Sequence, residues 1–131
     1  MTQSEFIGLV NGQPWANRAC TFDELDCWGL VVLYYRNVLG LELHHVAGYE
    51  SGADFITCYE EELEHWRRVP VPVSGCLAVF YYGNQPAHVG VMINPGKCLH
   101  SRGEFGFVRT DSAVILQKIY NKVEYLVHGS I

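Results

Sequence analysis

The spacing of hydrophobic residues divides this chain into a helical first half and an extended second half. Thr2 and Glu5 have the spacing of a capping box, which predicts a short helix over about residues 3 to 10. Residues 27 to 39 are apolar on nearly every side and precede Gly40, a common helix end. The second helix is therefore predicted to be buried at the centre of the fold.

A third helix is predicted between the loop at residues 49 to 52 and the proline-rich segment at residues 69 to 73. Its apolar stripe has helical spacing and is formed by Phe55, Tyr59, Leu63 and Trp66. Arg67 and Arg68 stand at its end, where the helix dipole favours positive charge. We expect this element to lie at the surface.

Short apolar runs separated by Gly, Pro or Asn predict strands after the proline-rich segment. The runs are Leu77 to Tyr82, His88 to Ile93, Lys97 to Ser101, Phe105 to Arg109 and Val123 to Val127. Residues 112 to 120 fit either a helix or a strand. Helices followed by an antiparallel sheet, without a linker or repeat, predict a single α+β domain over residues 1–131.

Composition limits the classes of function that fit this chain. The 131 residues carry a formal net charge of -5, and 49% of them are hydrophobic. Scattered Lys and Arg residues on an acidic chain do not predict a nucleic-acid or anionic-membrane surface. Five cysteines without Cys-x-x-Cys spacing predict neither a disulfide framework nor a zinc site, and no cofactor is expected.

The first residues, Met1 to Gly8, contain no basic region and only a short apolar stretch, so they do not predict a signal peptide. No apolar run in the sequence is long enough to predict a transmembrane helix. We therefore expect synthesis in a reducing cytoplasm, without a leader and without membrane insertion.

Cys27 is the leading candidate for chemistry because it stands at the predicted start of the buried helix. Asp26 precedes it as a helix cap, and the free N–H groups and helix dipole are expected to lower the pKa of the thiol. The alternative is that Cys27 is one more small buried hydrophobic residue. A nucleophilic role needs a base and a group that orients the base.

His88 and His100 are the predicted base and orienting group. The turn Asn94-Pro95-Gly96-Lys97 joins their strands into a hairpin, but a simple two-residue loop would place the rings on opposite faces. We therefore predict a β-bulge at this hairpin that brings both imidazoles to one face. A metal site built from Cys27, His88 and His100 is an alternative, and His44-His45 fits a loop better than a ligand pair.

The ordered motifs resemble the NlpC-type, papain-like cysteine peptidases that cut cell-wall peptides. The matching residues are Asp26-Cys27-Trp28-Gly29-Leu30, Gly75-Cys76-Leu77, His88-Val89-Gly90-Val91 and His100. The resemblance implies a papain-like NlpC-type fold, with N-terminal helices packed on a central antiparallel sheet of about five to six strands. It also implies a cysteine endopeptidase that hydrolyses amide bonds of peptidoglycan stem peptides.

Residue roles follow from the same resemblance. Cys27 is the implied nucleophile, His88 the general base and acid, and His100 its orienter. Asp26, Trp28 and Trp15 are the implied substrate-binding residues. Arg102 is a further candidate, because it lies near His100 in the sequence and could bind the carboxylates of stem peptides; the alternative is a solvated loop charge. The chain departs from the family pattern where Trp28 replaces a serine, Cys76 replaces an aspartate and Trp15 replaces a tyrosine that assists the oxyanion. An indole N–H is the most that Trp15 can offer there.

The tryptophan after the cysteine and the run His100-Ser101-Arg102-Gly103 look most like tail-assembly peptidases of long-tailed bacteriophages. This implies a place in the virion tail, action on the cell wall and contacts with other tail-tip proteins. Two alternatives remain open at this point. One is a structural tail-tip protein with weak or no activity, and the other is a related thiol acyltransferase or amidase.

Overall fold

Helices cover both faces of one six-stranded antiparallel sheet in a computed structural model that describes residues 1–43, 63–103 and 106–130. The helices are α1 (Gln3–Val10), α2 (Cys27–Tyr34) and α3 (Ala113–Ile119), with a π-helical turn at Tyr35–Leu39 and a 3-10 turn at Leu63–His65. The strands are β1 (Trp66–Val69), β2 (Leu77–Tyr82), β3 (Gln85–Asn94), β4 (Lys97–Ser101), β5 (Val108–Ser112) and β6 (Lys122–His128). Their order across the sheet is β1-β6-β2-β3-β4-β5.

Two hydrophobic cores lie on the two faces of this sheet. The larger core joins α1 and α2 to side chains such as Leu77, Val89 and Leu99. The smaller core joins α3 to Ala78, Phe80 and Met92 on the other face. The α+β fold predicted from the sequence is thus confirmed. In the described part of the chain, none of the helices has the length and apolar character needed to cross a membrane.

The first two helices form where the sequence predicts them. The Thr2 hydroxyl accepts a hydrogen bond from the Glu5 amide at 3.1 Å, and the Glu5 carboxylate accepts one from the Thr2 amide at 3.0 Å. This reciprocal pair satisfies two amides at the start of α1. Gly40 ends the second helical stretch with a φ of 69°, a left-handed conformation that glycine adopts without steric cost.

The end of the predicted third helix is wrong. Trp66, Arg67 and Arg68 belong to the edge strand β1, which pairs with β6 from Trp66–His128 to Val69–Tyr125. The Trp66 ring packs edge-on against Tyr35, with centroids 5.3 Å apart. Backbone pairing with a strand distant in sequence outweighs the local helical spacing. The stripe positions Phe55 and Tyr59 and the pair His44-His45 lie outside the described residues.

Two boundaries in the last third also differ from the prediction. Strand β5 covers Val108–Ser112, whereas the sequence places it at Phe105 to Arg109. The ambiguous segment at 112–120 is largely helix, because the Ser112 hydroxyl caps α3 by accepting a hydrogen bond from the Val114 amide. The shift of β5 matters for the site because it brings Asp111 into the sheet.

The hairpin between β3 and β4 contains the predicted bulge. Asn94 pairs with Lys97 across the two-residue loop, but the next pairs are Met92–Cys98 and Val91–Leu99, so Ile93 is extra. The shift by one residue places His100 on the same face as His88. The prediction of a bulge at this turn is confirmed.

Candidate active site

Asp26 fixes the start of α2. One of its carboxylate oxygens accepts a hydrogen bond from the Gly29 amide at 2.7 Å, and the other accepts one from the Arg18 amide at 3.0 Å. Arg18 has a φ of 66°, so Asp26 also holds a left-handed turn in the preceding loop. Its side chain is buried, which places Asp26 in the helix cap and not on the substrate-binding surface predicted for it.

The loop before α2 packs directly on the first turn of the helix. A Cβ on Gly29 would collide with the Ala19 carbonyl oxygen and would lie 3.1 Å from its carbonyl carbon. The Asp26 amide donates to the same Ala19 oxygen at 3.1 Å. Only glycine allows this close approach, so Gly29 lets the Ala19 backbone pack against the helix turn that carries Cys27.

Strand β4 anchors the helix start from the other side. The buried Ser101 hydroxyl donates a hydrogen bond of 2.6 Å to the Leu25 carbonyl. Pairs between β3 and β4 run from Asn94–Lys97 to Val91–Leu99, whereas β4 continues beside β5 as far as Ser101–Val108. The start of α2 is thus attached next to the end of the β3–β4 pairing.

The Cys27 sulfur lies in this region, and its pKa is raised to about 12. Burial is the main cause and the Asp26 carboxylate adds to it, while hydrogen bonds from the backbone amides of Val89, Trp28 and Cys27 itself act in the opposite direction. The lowered pKa expected from the sequence is therefore wrong, because desolvation outweighs the helix N-terminus. Cys27 rests as a neutral thiol.

His88 and His100 form the centre of the site. Their rings are hydrogen-bonded through His88 Nε2 and His100 Nδ1 at 2.9 Å, and both side chains are buried. Gly90 makes room for this contact, because a Cβ there would lie 3.1 Å from His100 Cβ. The predicted meeting of the two rings on one face is confirmed.

Burial keeps both rings neutral. It lowers the pKa of His88 well below 6.5, and the neighbouring His100 and Arg102 lower it further. Burial also lowers the pKa of His100, although Asp111 opposes this shift. A neutral imidazole is able to accept a proton from a neutral thiol, as general-base chemistry requires.

Sequence reasoning missed Asp111. Its Oδ2 lies 2.7 Å from His100 Nε2, and Arg109 contacts both of its oxygens, with Nε at 2.8 Å and an amino nitrogen at 2.9 Å. Burial raises the pKa of Asp111, but hydrogen bonds from His100 and Arg109 hold it below 3.8. The sequence signal for Asp111 is the alternation Val108-Arg109-Thr110-Asp111, which fits a strand that starts three residues after the predicted one.

Tyr120 forms a wall of the site. Its ring is stacked on the His88 ring at an angle of 9°, with centroids 5.8 Å apart. The Arg102 guanidinium lies over the Tyr120 ring, 5.8 Å from the centroid. Arg102 is exposed, and with Arg109 it lines a concavity of about 260 Å³ that also includes Gly103, Gly106 and Phe107. This surface carries two guanidinium groups beside the histidine pair.

The two predicted substrate-binding tryptophans differ in their surroundings. Trp28 is fully buried in the larger core, so the prediction that its side chain contacts substrate is wrong. Trp15 is half-buried, and its amide donates to the Gly106 carbonyl at 3.0 Å. It therefore lies along the segment that borders the concavity, where a substrate-binding role stays a prediction.

The metal alternative does not match this geometry. Among the residues that the structure describes, no group of three His, Cys, Asp or Glu side chains is arranged to hold a metal ion. Both ring nitrogens of His100 are also engaged, one with His88 and one with Asp111. A His100 ligand would have to give up one of these hydrogen bonds.

Comparison with known proteins agrees with this arrangement of helices and sheet. No curated protein sequence matches the chain. The fold is similar to the crystal structure of the NlpC/p60 domain of the peptidoglycan hydrolase SagA, with a TM-score of 0.65 and 16% sequence identity over 93% of this chain and 92% of that chain. The model of the NlpC/P60 family matches residues 12–124. The chain therefore belongs to the NlpC/P60 family.

Proposed function

We propose that the protein is a cysteine peptidase that hydrolyses amide bonds in peptidoglycan stem peptides. Cys27 is the nucleophile, His88 the general base and acid, and His100 the residue that orients His88. The observation that carries this proposal is the hydrogen bond between the buried, neutral imidazoles of His88 on β3 and His100 on β4, together with the contact between the Val89 amide of β3 and the Cys27 sulfur. Membership of the NlpC/P60 family supports the same reaction class.

The position of the helix start supports the assignment of His88 as the base for the thiol on α2. Alternation along β3 directs Val89 toward the core under α2 and His88 toward α3. A sulfur held at the Val89 amide lies at the level of the sheet, where β3 and β4 are no longer paired. The sulfur thus lies beside the residue that follows His88 in the chain, which supports pairing Cys27 with His88 in the proposed reaction.

The proposed reaction begins from the neutral pair. As Cys27 Sγ attacks the scissile carbonyl carbon, its proton passes to His88, and the backbone amides around the sulfur stabilise negative charge on the oxygen. The resulting imidazolium then gives this proton to the leaving amine as the C–N bond breaks and a thioester remains. Water, deprotonated by His88, hydrolyses the thioester and restores the thiol.

Arg102 is the proposed contact for substrate carboxylates. Stem peptides carry several carboxylates, and a guanidinium binds such groups through paired hydrogen bonds. Arg102 is exposed on the concavity next to the histidines, on a chain whose overall charge is negative. The local positive charge therefore fits an acidic peptide better than the rest of the surface does.

Mass spectrometry of muropeptides tests the activity. Purified peptidoglycan is incubated with wild type, Cys27→Ala and the matched control Cys20→Ala, which removes another partly buried thiol. Wild type and Cys20→Ala are expected to release shortened stem peptides, whereas Cys27→Ala releases none. Product formation by Cys27→Ala equal to wild type would refute the assignment. Adding a primary amine distinguishes hydrolysis from acyl transfer by the product mass.

We also propose that the protein acts at the tail tip of a bacteriophage. This rests on the motif resemblance around Trp28 and Arg102. Mass spectrometry of purified virions and of detached tails is expected to detect the chain in stoichiometric amounts. If tails assemble in cells that express the chain but do not contain it, the proposed position at the tail tip would be refuted.

One observation favours a structural tail protein as a second candidate function. Trp15 stands where the family pattern has a tyrosine that assists the oxyanion, so this hydroxyl is missing from the position. A purely structural protein would assemble with tail partners equally well as Cys27→Ala and would leave muropeptides intact in both forms. The two assays above therefore separate the candidates.

A further inference from the structure

A continuous chain of hydrogen bonds leads from His88 through His100 to Asp111, and Arg109 forms an ion pair with Asp111 at its end. We propose that Asp111 is a positioning residue that sets the tautomer of both imidazoles and so leaves the Nδ1 lone pair of His88 free to accept the thiol proton. This inference rests on the proposed peptidase function and adds a fourth residue to Cys27, His88 and His100.

The Asp111 carboxylate can only accept hydrogen bonds when it is ionised. Arg109 contacts both carboxylate oxygens at 2.8 and 2.9 Å, a two-point contact that favours the ionised form. His100 Nε2 lies 2.7 Å from the same carboxylate and must therefore carry a proton. In neutral His100 this leaves Nδ1 without one.

The tautomer of His100 determines the tautomer of His88. His100 Nδ1 is now an acceptor, so the 2.9 Å contact requires His88 Nε2 to donate. Neutral His88 then carries its only ring proton on Nε2, and its Nδ1 has a free lone pair. A neutral base needs this lone pair before it can take a proton from a thiol.

The register of β4 and β5 makes Asp111 suited to this task. Asp111 is paired with Cys98 and is the diagonal neighbour of His100 on one face of the sheet. The next residue, Ser112, caps α3, and the Ala113 amide donates to the Gly96 carbonyl at 3.0 Å. Asp111 is thus held by a strand before it and a helix start after it.

Loss of the negative charge would remove this control. In Asp111→Asn, the side-chain amide is able to turn its NH₂ group toward His100 Nε2 and donate to it. That contact moves the His100 proton to Nδ1, and the His88 proton to Nδ1 in turn. The base would then present N–H to the thiol, and kcat is expected to fall by roughly 10²–10⁴-fold with little change in KM.

The test measures tautomers directly. Long-range proton–nitrogen NMR of ¹⁵N-histidine-labelled protein at neutral pH is expected to show His88 and His100 protonated on Nε2 in wild type. Asp111→Glu is expected to keep this pattern and to rescue kcat, and Asp111→Asn to lose both. Asp23→Asn, which neutralises an exposed carboxylate ahead of α2, is the control and should match wild type.

Two results would overturn the proposal. One is a wild-type spectrum with the His88 proton on Nδ1. This measurement does not depend on whether the variants fold. The other is an Asp111→Asn protein with wild-type tautomers and wild-type kcat. Because the spectra require no turnover, a protein with the expected tautomers that cuts no stem peptide would refute the proposed function while the hydrogen-bond assignment stands.

Discussion

Gly90→Ala tests how the two histidines are brought together. The added Cβ would lie 2.9 Å from the Leu99 carbonyl oxygen, 3.1 Å from His100 Cβ and closer still to Cys98 Sγ. Ordinary contacts between such atoms are about 3.5–4.0 Å. Two of these three neighbours are backbone or Cβ atoms in a paired strand, which cannot rotate away. The methyl group therefore forces β3 and β4 apart or moves His100.

The magnitude follows from two opposing effects. Overpacking in a filled core costs about 1–3 kcal/mol. Replacing a glycine also restricts the unfolded chain, which stabilises the fold by about 0.4–1 kcal/mol. The net loss of unfolding free energy is thus roughly 1–2 kcal/mol. The rate of peptide hydrolysis should also fall, and by more than the loss of folded protein explains, because His100 moves relative to His88.

Urea denaturation and hydrolysis of a defined stem peptide provide the assays. Gly8→Ala is the matched control, since a Cβ there has no neighbour within 4 Å and α1 should gain up to about 1 kcal/mol. Removing the closest obstacle in Gly90→Ala/Cys98→Ala should recover part of the lost stability, so the double variant is more stable than the sum of the single effects. Strict additivity, or a Gly90→Ala protein with wild-type stability and activity, would refute the packing argument.

Three further predictions follow from burial and hydrogen bonding. Because the pKa values of His88 and His100 are lowered in the folded protein, the unfolded chain binds more protons than the folded one below pH 6.5. The free energy of unfolding should therefore fall as the pH drops through 6.5, by at most about 1.4 kcal/mol per pH unit for each ring. A flat stability profile from pH 7 to 5 would contradict this. Ser101→Ala leaves the buried Leu25 carbonyl unpaired and should lower the free energy of unfolding by about 1–3 kcal/mol, measured by thermal or urea denaturation. The control Ser74→Ala, at an exposed serine, should lower it less. Equal losses in the two variants would count against the anchoring role of Ser101. Alkylation of Cys27 by iodoacetamide should keep accelerating as pH rises above 9, and a plateau near neutral pH would show a thiolate at rest.

Features that depend on local sequence were predictable. The capping box of Thr2 and Glu5, the apolar helix before Gly40 and the short apolar strands each follow from residues within one or two turns. The bulge at Ile93 was predictable from the assumed site, because a simple two-residue loop would place His88 and His100 on opposite faces and a Pro-Gly turn matches strand twist poorly.

Features that depend on distant packing were not predictable. Trp66 joins an edge strand only because β6 supplies its partner from the end of the chain. Asp111 enters the site because β5 starts three residues later than its apolar run implies. The pKa of Cys27 reverses its expected direction because burial is a property of the folded molecule and outweighs the local helix dipole.

The most direct test of the account is a double-mutant cycle on Cys27 and His88, with kcat/KM measured on a defined stem peptide. If the thiol and imidazole act as one unit, Cys27→Ala and His88→Ala should each reduce hydrolysis by roughly 10³-fold or more, and the double variant should be no worse than either. Wild-type hydrolysis by Cys27→Ala, or losses that multiply in the double variant, would contradict the account.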